Sequence, residues 1–169
     1  MAGWAGPGGN VTGMWHDVKG LPVKKLGIAR EIVPNAVRSG LIDDVSDVKG
    51  APQRREIEAA ATDIGAKTIR VEVRSSDDMT SAFNTFVGER ADVVIVPQTT
   101  MLLNERKRIA DLAIDRRIPT VYGYGLHVDV GGLISYGIDL PACSHPAASF
   151  VYRIAKVAQR PDWPAEFPR

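Results

Sequence analysis

The sequence predicts an α/β fold, a mostly parallel sheet with helices on both faces. Three observations carry that expectation. Segments with helical spacing of apolar residues alternate with short β-branched segments along most of the chain. Val93–Val96 is apolar at every position, as in a strand covered on both faces. The connections between these segments are short, which suits repeated strand–helix units.

The elements follow in order. Residues 1–22 read as a loose arm, with Gly3, Gly6, Pro7, Gly8, Gly9 and Gly13 as punctuation. Residues 23–160 read as the α/β lobe, and residues 161–169, with three prolines, as an extended tail. Leu26, Ala29 and Val33 have helical spacing, and Pro34 stops that helix. Val37–Ile42 reads as a strand weakened by Ser39 and Gly40, with Asp43, Asp44 and Ser46 in a polar loop after it. Ala51–Ile64 is a helix with Ile57, Ala60, Ala61 and Ile64 on one face. Pro52 suits its first turn and Gly65 its C-terminal cap.

Thr68–Val73 alternates apolar with charged residues, which predicts an edge strand with one exposed face. Ser75 or Ser76 is expected to cap a helix lined by Met79, Ala82, Phe83 and Phe86. A central strand over Val93–Val96 leads into Gln98, Thr99 and Thr100. A helix follows from about Leu102 to Arg116, with Ile109, Leu112 and Ala113 inward. Pro119–Tyr122 and Leu133–Tyr136 are the last two strands, joined by a glycine-rich elbow. A final helix from about Pro146 to Gln159 is expected to turn Ala147, Val151, Ile154, Ala155 and Ala158 inward, with Ser144 as its cap.

Composition narrows the function. The chain has 169 residues, enough for one domain with a core, at 44% hydrophobic and 24% charged content. A formal net charge of +1 gives no electrostatic case for nucleic acid or an anionic membrane. The lone cysteine, Cys143, cannot form an intrachain disulfide. No run of apolar residues is long enough to span a bilayer, and the first twenty residues lack a secretory signal pattern. The chain as written would stay in the cytoplasm.

Known chemical motifs do not assemble. Gly123-Tyr-Gly125 lacks the third glycine and the following helix of a dinucleotide fingerprint. His16, His127 and His145 are scattered and no CxxC pair exists, so no metal or other cofactor is expected. Pro97-Gln98 stands where a phospho-receiver domain would place its nucleophilic Asp. Ser144-His145 lacks the glycines of a nucleophile elbow. No catalytic residue is assigned. Parallel strands build their sites from the loops at their carboxyl ends. Those loops offer Asp44, Gln98, Thr99, Thr100, Tyr122, Gly123, Tyr124, Tyr136 and Gly137. Rings for stacking and a few hydrogen-bonding groups suit a small polar or aromatic ligand.

Several segments together resemble a known family. Pro7-Gly-Gly-Asn-Val-Thr-Gly13, Ala29-Arg-Glu-Ile-Val-Pro34 and Ala51-Pro-Gln-Arg-Arg-Glu-Ile-Glu-Ala-Ala60 resemble ABC-transporter substrate-binding proteins of the tryptophan/tyrosine type. So do Glu72-Val-Arg-Ser-Ser-Asp77, Arg108-Ile-Ala-Asp-Leu-Ala113 and Gly131-Gly-Leu-Ile-Ser-Tyr-Gly137. The resemblance implies a type I periplasmic-binding-protein fold, with two flavodoxin-like sandwich lobes that clamp a solute between them. It implies solute delivery to an ABC permease without covalent chemistry, and a periplasmic location. The match begins where the family's first lobe ends, so one lobe of two is expected. The family's strand before the second-lobe loop is apolar and ends in Asn-Pro. Ser39-Gly40 and Asp43-Asp44 stand there instead.

Half a clamp predicts weak solute binding by a monomer, or pairing of the bare cleft face with a second copy. Two other readings stay open: a stand-alone flavodoxin-like enzyme or regulatory domain using Asp43, Asp44 or His127, and a folded relic of a truncated gene.

Overall fold

The computed structural model describes residues 20–140 together with 148, 151–152 and 155–156. The described residues through Gly137 form one compact unit, and those from Ile138 onward belong to a second. Most of the predicted arm, the tail, and Cys143, Ser144, His145 and His16 lie outside the described residues.

The first unit is built from α1 (Leu21–Ile32), β1 (Arg38–Asp44), α2 (Gly50–Asp63), β2 (Lys67–Val73), α3 (Asp78–Gly88), β3 (Val93–Val96), α4 (Thr100–Asn104), α5 (Arg106–Asp115) and β4 (Thr120–Tyr124). A 3₁₀ turn (Gly125–Val130) then leads to β5 (Ile134–Ile138), whose last residue opens the second unit. The strands order as β2-β1-β3-β4-β5, and β1 is parallel to β2 and β3, as β3 is to β4. This is the flavodoxin-like winding, and its direction of travel reverses between β1 and β3.

The period-2 alternation of each strand sends residues to two helical layers. Leu41 and Ile95 pack with Leu26 of α1 and Ile57, Ala60 and Ala61 of α2. Ile42, Val94 and Val96 pack with Met79, Phe83 and Phe86 of α3 and Ile109 of α5. Phe83 and Phe86 meet edge-to-face at 5.9 Å and are fully buried, each stabilising the fold by about 1.5–3 kcal/mol. Gly40, expected to weaken β1, makes room for this layer. A Cβ there would lie 2.9 Å from Phe86 and from Val94.

Several expectations need correction. β1 runs to Asp44, so Asp43 and Asp44 close a strand instead of opening a loop. β2 pairs with it to the end, Asp43 opposite Glu72 and Asp44 opposite Val73. Asp43 is held by two arginines: Arg70 Nε donates to its Oδ2 at 2.6 Å and Arg54 Nε lies 3.4 Å away. That contact raises the Arg70 pKa.

The expected serine cap of α3 does not form, since the N-cap is Asp77 and it makes no side-chain cap hydrogen bond. Asp78 instead ties down the loop before the helix: the Asp78 Oδ2 accepts the N–H groups of Arg74 and Ser75 at 2.8 and 3.0 Å, which lowers the Asp78 pKa. Two backbone donors are better matched by a carboxylate than by a hydroxyl. The single helix expected over Leu102–Arg116 divides at Glu105 into α4 and α5. The ladder carries through the break, since Glu105 donates to Met101 and accepts from Ile109. In the second unit, Ala148, Val151, Tyr152, Ala155 and Lys156 are helical, but Val151 and Ala155 are exposed and not inward.

Candidate ligand site at the carboxyl edge

β1 and β4 run about two residues past the end of β3, and all of the first unit's predicted site residues are at or near the carboxyl ends of these strands and of β5. Gln98 is the hub. It is 8% exposed, and its Nε2 donates to the Gly123 carbonyl at 2.8 Å. Its own backbone is gripped by Gln53 of α2, whose Oε1 accepts the Gln98 N–H at 2.9 Å and whose Nε2 donates to the Gln98 carbonyl at 3.0 Å. This grip spans the reversal between β1 and β3, where doubly wound sheets open a crevice.

Two glycines let the Gln98 side chain lie across β4 and β5. A Cβ on Gly123 would overlap Gln98 Cγ. One on Gly137 would overlap the Gly123 carbonyl oxygen and lie 2.5 Å from Gln98 Nε2. The Tyr-Gly pairs that mark this region in the sequence therefore serve close approach by the second member. Gly137 is exposed. It precedes the last residue of β5 and does not end the strand.

Thr99 is buried and caps α4, its Oγ1 accepting the Leu102 N–H at 3.5 Å. Thr100 is exposed, and its N–H donates to Asp47 Oδ2 at 3.2 Å. Asp44 is buried. Its Oδ1 accepts the N–H and hydroxyl of Ser46 at 3.0 and 2.5 Å, while its Oδ2 has no partner.

The tyrosines divide by role. Tyr122 is fully buried in the core and does not present its ring at the edge. Burial pushes its hydroxyl up to about 12. Its ring stacks at 4.7 Å on His127, and the Tyr124 ring lies nearly parallel to the same imidazole at 6.3 Å. Tyr124 is half-buried, which raises its pKa, with Asp47 adding to the shift. Tyr136 is half-buried with Lys24 Nζ 5.8 Å from its ring centre.

His127 is fully buried, with Nδ1 3.3 Å from the Tyr124 carbonyl and Nε2 3.2 Å from the Leu102 carbonyl. Burial lowers its pKa, against the pull of both carbonyls. A neutral ring donates to one carbonyl only. His127 thus ties the 3₁₀ turn to α4 between two aromatic rings. Asp43, Asp44 and His127, the candidates for catalysis, each have separate local partners. Among the described residues no three metal-ligating side chains converge.

Sequence reasoning missed Lys25. It lies in α1 and is fully buried, and its Nζ has no hydrogen-bond partner. A Cβ on Gly123 would sit 3.0 Å from that nitrogen, so the amine lies against the floor of the Gln98 site. Burial lowers its pKa to about 8. The available signal was its spacing of four from Ala29, which puts a charge on the inward stripe of α1.

The profile of the family described as ABC transporter substrate binding protein matches residues 1–167. The chain belongs to that family. Its fold is that of type I periplasmic binding proteins. Among solved structures, a conserved domain protein from Vibrio cholerae superposes with a TM-score of 0.84 at 19% identity, over 96% of this chain and 54% of that one. The ABC domain from Streptococcus pneumoniae in complex with L-Trp gives 0.83 at 21% identity, over 98% and 55%. A ligand-free, open substrate binding protein with adhesive properties from Clostridium difficile gives 0.68 at 21% identity, over 99% and 56%. No curated protein matches the sequence. This family member thus spans about half the length of the structures it resembles. No described helix is long and apolar enough to cross a membrane.

Proposed function

We propose that this chain supplies one lobe of a solute-binding component of an ABC transporter. It would hold a small polar or aromatic solute, such as an amino acid, at the carboxyl edge of its sheet without covalent chemistry. The observation that carries this reading is the Gln98 hub, whose backbone leaves β3 beside the sheet's reversal and whose buried amide is seated between a glycine of β4 and a glycine of β5. Family membership and the L-Trp complex of the Streptococcus pneumoniae relative support it.

In this reading Gln98, Thr99, Thr100, Gly123, Tyr124, Tyr136 and Gly137 face the solute. Tyr122 and Asp44 shape the edge from behind. A permease is the partner to which the solute passes, in the periplasm or its extracellular equivalent. The arm over residues 1–22 and the tail over 161–169 would flank the lobe. A half-clamp buries less ligand than a closed cleft and binds more weakly. A second copy covering the edge would restore burial.

Titrating the full 169-residue chain with L-tryptophan, L-tyrosine and L-phenylalanine, read by amide NMR, tests the site. Millimolar ligand should shift the amides of Gln98, Thr99, Thr100, Gly123 and Tyr124. No shift there with any of the three overturns the solute-binding reading. Micromolar affinity from a chain that sediments as a monomer overturns the half-clamp.

A further inference from the structure

A buried, uncompensated amine is costly to keep. Lys25 is 0% exposed, and among the described residues its Nζ finds no hydrogen-bond partner, neither carboxylate nor carbonyl. Its pKa falls through burial with no opposing charge contributing. Even so, a group with a pKa of about 8 is protonated in most molecules at pH 7. A methionine or leucine would fill the same space in α1 without that cost.

The amine's position is specific. It lies beside Gly123, the glycine whose carbonyl receives Gln98: a Cβ there would sit 3.0 Å from Lys25 Nζ. Gly137 is exposed, and a Cβ on it would lie 2.5 Å from the same Gln98 amide, so the Gln98 side chain connects an exposed strand position to the glycine beside the amine. Lysine stems are flexible enough to bring the charge outward when an anion arrives. The neighbouring cation, Lys24, already lies over the Tyr136 ring, which leaves Lys25 as the inward charge of the pair. The buried carboxylates of the edge are not its partners. Asp43 is held by Arg70 and Arg54 and Asp44 Oδ1 by Ser46, and Asp44 Oδ2 makes no hydrogen bond to Lys25.

We infer that Lys25 and Gln98 form an acid-recognising subsite that takes the carboxylate of the bound solute, with the Lys25 ammonium as counterion and the Gln98 amide as orienting donor. The inference rests on the solute-binding reading and adds the chemical class of the group recognised. A neutral isostere of the same solute leaves the ammonium unpaired and is rejected.

The test uses two probes that differ only in charge, indole-3-propionate and indole-3-propionamide, titrated into the full chain and into Lys25→Met. Lysine ε-methylene resonances report the amine directly. The wild-type chain should bind the carboxylate about tenfold or more tightly than the amide. Saturation with the carboxylate should move the Lys25 titration midpoint upward, because an opposite charge favours the ammonium. K25M should bind the two probes alike, and Lys25→Arg should recover part of the preference. Equal binding of both probes by the wild type overturns the inference, as does a preference that survives in K25M. In either case the solute-binding reading stands. If neither probe nor any aromatic amino acid shifts the edge amides, that reading fails and the inference with it.

Discussion

The two halves of the carboxyl edge treat charge in opposite ways. At the ends of β1 and β2, Asp43 meets Arg70 and Arg54, Arg70 also pairs with Glu72, and Asp44 takes both donors of Ser46. At the ends of β3, β4 and β5, Lys25 has no hydrogen-bond partner among the described residues, and Gln98 is held by glycine and by another side-chain amide. The first half spends most of its polar groups on itself, Asp44 Oδ2 being the exception among the described residues, and reads as structure. The second keeps a cation unspent and its backbone bare of Cβ atoms, which is the arrangement expected where another molecule completes the bonding.

The largest effect should come from crowding the second half. Gly137→Ala drives a methyl into the Gly123 carbonyl oxygen and the Gln98 amide. Overpacking against backbone should cost about 3 kcal/mol in urea unfolding, and a loss under about 1 kcal/mol would show that β5 is loosely held there.

Next, Lys25→Met should stabilise the ligand-free chain by about 2 kcal/mol at pH 7. The sign follows from the lowered pKa. Between about 8 and the ordinary 10.5 the unfolded chain binds more protons than the folded one. Wild-type stability attributable to Lys25 therefore rises across that window, and the gap to K25M should close by its upper end. A gap that does not change with pH would mean the amine is not buried as described.

The smallest effect belongs to the first half. Asp43→Asn should cost about 1 kcal/mol in the same unfolding assay, because the side chains of Arg70 and Arg54 remain 34% and 23% exposed and keep much of their hydration. A larger loss would make that end of the edge as sensitive as the other and blur the contrast.

What the sequence revealed follows from where periodicity speaks. Val93–Val96 is central, Lys67–Val73 is an edge strand, and Ile57, Ala60 and Ala61 face inward, because burial on one face or two leaves a repeating trace. The end of β1 was hidden, since two aspartates look like a loop until the arginines that neutralise them come from β2 and α2. The role of Asp78 was hidden because its carboxylate reaches backward to the loop N–H groups of Arg74 and Ser75. Of the candidate site, the polar stretch Gln98–Thr100 after β3 was legible from the strand end, whereas Tyr122, Gly123, Tyr136 and Gly137 lie within β4 and β5 and not in loops. The inward burial of Tyr122 and the placement of Lys25 were not legible, because both depend on which face of the sheet α1 and α5 cover.

Gln53 gives the edge one further property. β1 and β3 are in register from Ser39 opposite Val93 to Leu41 opposite Ile95. Past that point, the Gln53 amide offers Gln98 one acceptor and one donor, just as a neighbouring peptide group would. A side chain thus supplies a counterfeit rung where the strands part, and the first turn of α2 becomes an honorary member of the sheet. Any solute that tugs on Gln98 therefore pulls on a helix as well as on a loop.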